Sequence, residues 1–187
     1  MAGVERTHSG PMLVETSAPD SELTRKEIIA RNISVVEAHF HNETPDSVEA
    51  AIELYGEDVT WEAPTRGIVM DNRDDILEAY RGIFRTVVYR SFIPLRRFAT
   101  EQFVFDDQIA HLTVIGDQMP NLPYPEGTEM SVRLAHVFEM KDGKIVREIA
   151  YEMWRKEGAP NAIDFIPEDA REVRFDPLNS HGSDGDL

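Results

Sequence analysis

The sequence contains no cysteine, which excludes disulfides, thiolate zinc sites, iron–sulfur clusters and a cysteine nucleophile together. Basic residues are also scarce: 19 Lys and Arg stand against 35 Asp and Glu, giving a net charge of −16 at pH 7. A nucleic-acid groove or an anionic membrane patch needs clustered Lys and Arg to neutralise phosphates, so neither nucleic acid nor membrane is expected as a partner. Acidic substrates are disfavoured for the same reason. No segment approaches the roughly 18 uninterrupted apolar residues of a membrane span. Met1 to Pro19 lack the apolar run of a secretory signal, so a cytoplasmic location is the expectation. The patterns G-x-G-x-x-G, G-x-S-x-G, H-E-x-x-H and the P-loop are missing, which argues against dinucleotide binding, serine hydrolysis, zinc proteolysis and nucleotide hydrolysis.

What is present suits one domain with tails. The 187 residues are 41% hydrophobic and 9% aromatic, enough for a real core. Residues 1–22 hold one base and four acids and residues 156–187 three bases and eight acids, so the central 133 residues carry only half of the charge. Residues 1–22 therefore read as a flexible N-terminal segment and 23–155 as the domain. Residues 156–187 read as an acidic extension whose last nine residues are a solvated tail. Ile163, Phe165, Ile166, Val173 and Phe175 are too apolar for a free tail, so the first part of that extension is expected to dock on the domain or on a second copy.

Within 23–155 the hydrophobic period changes once. Ile29, Ile33, Val36 and Phe40 recur at helical spacing over Leu23 to Asn42, with Ser21 as the start signal. Thr44 and Pro45 open a second helix that buries Val48, Ala51, Ile52 and Tyr55 and ends at Gly56. Glu57 to Pro64 alternates as a strand, and a third helix runs from Asn72 to Val88 with Asp74 and Asp75 in its first turn. Strand-like alternation follows: Ser91 to Phe105, a turn at Asp106-Asp107, Ile109 to Gln118, Met130 to Met140, and Ile145 to Trp154. Asp142-Gly143 is the strongest hairpin signal. Three helices followed by an antiparallel meander mean an α+β fold, with helices on one face of the sheet.

Four pieces in this order resemble the NTF2-like superfamily, in particular its SnoaL-like branch: LYGEDVTWEAP (Leu54 to Pro64), RDDILEAYRGIF (Arg73 to Phe84), DDQIAHLTV (Asp106 to Val114) and HVFEMKDGKIVREIAYEMW (His136 to Trp154). The resemblance covers roughly residues 25–155. It implies an NTF2-like cone: three N-terminal helices packed on a strongly curved, mostly antiparallel sheet that encloses an apolar pocket. Relatives include polyketide cyclases, ketosteroid isomerases, dehydratases and limonene-epoxide hydrolases, besides binding domains. Fold alone does not choose among them.

Compared position by position, Ala63 stands where steroid isomerases have the basic Asp before a proline, and the nearest carboxylate is Glu62. Ala150 stands at the acid of the epoxide hydrolases. The two oxyanion donors of the isomerases correspond to His39 and His136. In the last hairpin, a one-residue bulge at the turn would set His136 directly across from Glu148, within hydrogen-bonding reach. The even-numbered face would then offer Val132, Leu134, His136, Phe138, Glu148 and Glu152. The odd face, with Ile149, Tyr151 and Met153, is apolar too, and a homodimer through that outer face is the natural explanation.

The candidate catalytic residues are therefore His136, Glu148, His39 and Glu62. Trp61, Tyr80, Leu112, Val132, Leu134, Phe138 and Glu152 are candidate substrate contacts. His136 is either a pocket acid/base tuned by Glu148 or a buried histidine satisfied by a structural glutamate. His39-Phe40-His41 is no metal site, because residues i and i+2 of a helix point about 200° apart. No metal or other cofactor is expected. The reading is acid/base chemistry without a cofactor (isomerisation, cyclisation, dehydration or epoxide opening) on an apolar polyketide-, terpenoid- or steroid-like molecule. The alternative is a non-catalytic hydrophobic-ligand-binding or dimeric scaffold domain.

Overall fold

The computed structural model describes residues 10–159. Among them are three α-helices, α1 (Arg25–Asn42), α2 (Val48–Ile52) and α3 (Arg73–Thr86), and six strands. The strands are β1 (Tyr55–Ala63), β2 (Ile68–Met70), β3 (Val87–Ala99), β4 (Phe103–Val114), β5 (Glu129–Lys141) and β6 (Lys144–Lys156). They form one mixed sheet, open at both edges, in the order β2-β1-β6-β5-β4-β3. β1 runs parallel to β6, and every other pairing is antiparallel. The fold is α+β, as the change of period indicates.

Helix α1 begins two residues later than the periodicity suggests. Thr24, not Ser21, is its cap: the Thr24 side chain accepts from the Glu27 backbone, and the Glu27 carboxylate accepts from the Thr24 backbone. This reciprocal box satisfies two amide donors that a helix start otherwise leaves open. Ile29, Val36 and Phe40 are buried as expected, and each such side chain contributes about 1.5–3 kcal/mol when fully buried. Their neighbours in one core cluster are Ile76 and Tyr80 of α3, Tyr55, Val59 and Trp61 of β1, and Phe138 of β5. A second cluster, with Leu112, Val114, Met130 and Val132, fills the opposite end of the sheet.

Three element boundaries differ from the sequence reading, each for an identifiable reason. Helix α2 is a five-residue turn capped at Ser47, and Tyr55 and Gly56 already belong to β1. Val87 begins β3, because α3 ends at Thr86, whose hydroxyl donates back to the Gly82 carbonyl. Asp106 and Asp107 do not turn the chain. They lie buried in the middle of β4 on opposite faces, with Asp106 bound to Arg97 and Asp107 to Arg133 and Arg96. Flanking strands supply those arginines, so the charges are compensated in place. The chain turns instead at Thr100, whose hydroxyl accepts from the Gln102 and Phe103 amides.

Of the segment expected to be flexible, residues 10–22 are described, and they hydrogen-bond to the domain. Met12 and Asn42 exchange two hydrogen bonds between the Met12 backbone and the Asn42 side-chain amide. Arg31 donates to the Ala18 carbonyl at 2.6 Å and also pairs with Asp20. The docking segment and the tail expected within 160–187 lie outside the described residues.

The hairpin register decides what meets what in the site. Asp142 and Gly143 both have positive φ, 47° and 74°, the geometry of a two-residue turn. Lys141 closes on Lys144, and Val146 then bulges out, so Glu139 pairs with Arg147. His136 consequently faces Ala150, and Glu148 faces Phe138. The expected His136–Glu148 pairing is thus displaced by two residues. Since side chains alternate with period two, both residues still share one face.

Candidate active site

Three adjacent cross-sheet rows build the inner wall. Trp61, Glu148, Phe138 and Val104 lie in one, Ala150, His136, Asp106 and Arg97 in the next, and Glu152, Leu134 and Gln108 in the third. Between this wall and the helices lies a cavity of about 600 Å³. Trp61, Tyr80, Leu134, His136, Glu148 and Glu152 line it, joined by Glu43 and the aromatic rings of Phe40 and Phe84.

Its polar end is a cluster drawn from four elements. His39 on α1 puts Nε2 2.8 Å from Glu43 Oε1, one helical turn further on, and 3.3 Å from Glu148 Oε2 on β6. The Tyr80 hydroxyl, from α3, donates to Glu43 at 3.1 Å and lies 3.2 Å from His39 Nε2. The Tyr55 hydroxyl, from the first residue of β1, donates to Glu148 and lies 3.2 Å from the Tyr80 hydroxyl. Arg73 fixes the position of Tyr55 by donating to the Tyr55 and Gly56 carbonyls.

Burial sets the charges of this cluster against solvation, and partners then decide them. Burial alone would push the His39 imidazole down; the Glu43 charge and the hydrogen bond to Glu148 outweigh it and raise the pKa from 6.5 to about 10. Burial would raise the carboxyl of Glu148, 1% exposed; the hydrogen bond and charge of His39, the charge of His136 and the Tyr55 hydroxyl hold it below its ordinary value. Both phenols are pushed well up, first by burial and then by the Glu148 charge, so they remain donors. The cluster is an imidazolium between two carboxylates, with two phenols closing the network.

The same three ligating atoms, of His39, Glu43 and Glu148, lie within 4.8 Å of one another, close enough to hold a metal ion. His41 is not among them: its ring contacts the Gly10 carbonyl instead. Both carboxylates converge on His39 Nε2, where their charges favour a proton, so an ion would compete with that proton.

Beyond the cluster, Glu152 is buried and fully engaged. Arg66 grips it with two bonds of 2.7 and 3.0 Å, and the Trp154 indole adds a third at 2.8 Å. Trp61 Nε1 and His136 Nδ1, in two side chains that line the cavity, are buried without a hydrogen-bond partner among the described residues. Asp106 Oδ2, directly across β4 from His136, is likewise unpartnered. Buried polar atoms left unsatisfied cost about 1–3 kcal/mol each, and a ligand that pairs with them recovers part of that.

The structure thus brings His39, Glu148, His136, Trp61, Tyr80, Leu134 and Glu152 to or around the cavity. Glu62 is elsewhere: it sits opposite Ile149 on the outer face, bound to Arg147. Its odd register relative to Trp61 turns it away. Leu112 and Val132 pack in the second core cluster and Phe138 in the first, all behind the lining. Glu43, Tyr55, Arg66 and Asp106 are site residues that the sequence pattern does not single out. Only Glu43 carries a signal, its i+4 spacing from His39. Tyr55 falls at the end of an expected helix, Asp106 in an expected turn, and Arg66 in a single 3₁₀ turn after Pro64.

Solved structures with the same fold include a proposed polyketide cyclase of Xanthomonas campestris pv. campestris, with a TM-score of 0.54, 17% identity, 66% of this chain covered and 91% of the other. A limonene-epoxide-hydrolase-like epoxide hydrolase of Mycobacterium tuberculosis gives 0.52 and 17%, covering 66% and 84%. A phenazine biosynthesis-related protein of Pseudomonas aeruginosa gives 0.55 and 20%, covering 68% and 82%. Identities this low carry the fold and not the activity. No curated protein sequence matches the chain. Residues 36–148, from the middle of α1 to the glutamate at the centre of the site, match the SnoaL-like domain, and the chain belongs to that family.

Proposed function

We propose that this protein is an enzyme that performs acid/base chemistry on a small, mostly apolar molecule bound in the cavity. One observation carries the proposal: a buried carboxylate, Glu148, kept ionised beside an aromatic cavity by His39 and Tyr55. In this reading Glu148 exchanges the proton with substrate. His39 is a positioning residue that holds the carboxylate's charge, and the Trp61 indole and His136 imidazole bind the substrate oxygen, such as a carbonyl or an epoxide, on which charge develops. Donors held in place where the charge develops stabilise it without reorganisation. The same fold occurs in a proposed polyketide cyclase and an epoxide hydrolase. Isomerisation, cyclisation, dehydration and epoxide opening all fit this apparatus.

The test is a thermal-shift screen of apolar ketones, epoxides and hydroxy compounds, followed by mass spectrometry of each hit after incubation. Glu148→Gln should retain ligand binding and form at least about 100-fold less product. Unchanged product formation would remove Glu148 from the reaction. One observation favours a second reading, a ligand-binding domain without turnover: two donors already engage Glu148 Oε2. Hits that bind and are recovered unaltered from wild type would establish it.

A homodimer through the outer sheet face belongs to the same proposal. Phe98, Tyr151, Met153 and Val69 are exposed apolar side chains, and Phe98 stacks on Phe105 at 4.8 Å between ring centroids. A Tyr151→Lys/Met153→Lys variant should sediment as a monomer where wild type is a dimer; a wild-type monomer refutes the interface.

A further inference from the structure

We infer that the molecule bound in this cavity carries a basic nitrogen, which sits as an ammonium ion against Glu43 and Glu148 with its apolar body among the aromatic rings. This names a substrate class for the site proposed above and rests on that reading of the cavity.

The charges around the cavity do not balance. Among the described residues, each arginine at the cavity or its margin is matched by one carboxylate: Arg66 by Glu152, Arg90 by Glu157 and Arg97 by Asp106. What remains inside is His39 against two carboxylates, Glu43 and Glu148. With His136 in its neutral form, the two carboxylates share one imidazolium and leave one negative charge at the cavity; a protonated His136 would balance it. Anionic ligands are repelled there, neutral ones gain nothing from the charge, and a cation is drawn in.

The position of the surplus charge is also informative. His39 is fully buried, and Glu148 nearly so, whereas the Glu43 side chain keeps 22% of its exposure and lines the cavity. Glu43 is therefore the more accessible of the two carboxylates. The cavity lining includes the rings of Phe40, Trp61, Tyr80, Phe84, Tyr89 and Phe92, with Arg97 already over Phe40 and Arg66 over Trp61. Ring faces attract a cation through their quadrupole, most strongly where water is excluded. A bare metal ion would use the carboxylates but gain little from the aromatic lining. An alkylammonium uses both, and its body fills the remaining volume.

The experiment compares three probes with one body, 4-phenylbutylamine, 4-phenylbutanol and 4-phenylbutyrate, by isothermal titration with the full chain at pH 7 and low salt. The amine should bind at least about tenfold more tightly than the alcohol, the carboxylate should bind more weakly than both, and added salt should narrow the gap. Glu43→Gln keeps an acceptor for Tyr80 and should bring amine and alcohol within about twofold. Equal binding of amine and alcohol, tightest binding of the carboxylate, or no binding of any probe overturns the inference. So does Zn²⁺ that binds more tightly than the amine and is lost in Glu43→Gln, which would make the site a metal site. Turnover of neutral ligands without amine preference would overturn this inference and leave the acid/base reading intact. Amine preference without any turnover would do the reverse.

Discussion

Stability should fall with pH on the alkaline side, because the native state holds a proton on His39 that the unfolded chain releases. The imidazole has its ordinary pKa of 6.5 when unfolded and about 10 in the fold. A group whose folded pKa is raised contributes fully below the unfolded value and loses its contribution as pH climbs through the folded value. The window is therefore pH 6.5 to 10. One proton changes stability by about 1.4 kcal/mol per pH unit, so the whole shift is worth about 5 kcal/mol. Urea unfolding at pH 7, 8 and 9 measures the slope.

The proper reference is His39→Gln/Glu148→Gln, in which amides replace both partners of the pair. Wild type should lose stability about 1.4 kcal/mol per pH unit faster than this double variant, since the titrations of tails and surface are common to both. The single variant His39→Gln should be the least stable of the three at pH 7, by about 3–5 kcal/mol relative to wild type, because Glu43 and Glu148 then face each other without the imidazolium. Parallel slopes for wild type and the double variant would refute the reasoning. So would imidazole ¹⁵N shifts showing neutral His39 at pH 7.5.

Three further outcomes test other parts of the structure. Arg66→Met should destabilise by about 3–5 kcal/mol in chemical denaturation, because it strands the buried Glu152 carboxylate, and Arg66→Met/Glu152→Leu should recover most of the loss; no recovery would show that Arg66 matters by other contacts. Gly116→Ala should lower stability by about 1–3 kcal/mol, since its Cβ would lie 2.4 Å from the Arg85 carbonyl oxygen; an unchanged melting temperature would mean that this turn yields freely. Prolonged EDTA treatment should leave ligand binding unchanged, because the His39 proton already bridges the carboxylates; loss restored by Zn²⁺ would instead place an ion among His39, Glu43 and Glu148.

Sequence alone reached the helices α1 and α3, the closing hairpin and the α+β class, because these rest on local periodicity and turn chemistry. Asn72 caps α3 as its residue type suggests, accepting from the Asp75 amide. The shared face of His136, Glu148 and Glu152 was legible for the same reason, since alternation is a local property that survives a two-residue slip. Partnership was not. Which residue stands beside Glu148 depended on a bulge at Val146 and on the parallel seating of β1 against β6, and neither leaves a trace in composition or spacing. Asp106-Asp107 reads as a turn because acidic pairs usually seek water; arginines from neighbouring strands make a strand interior tolerable for them.

The lack of cysteine and the shortage of basic residues exclude whole classes of chemistry by composition alone, and the acidic balance already points away from anionic partners. Tertiary structure alone decided that a single histidine would lie between two carboxylates from α1 and β6, while each nearby arginine found one acid. Charge count is fixed by sequence, but compensation is a matter of distance. In this fold the distances set two carboxylates on one histidine at the edge of an aromatic cavity.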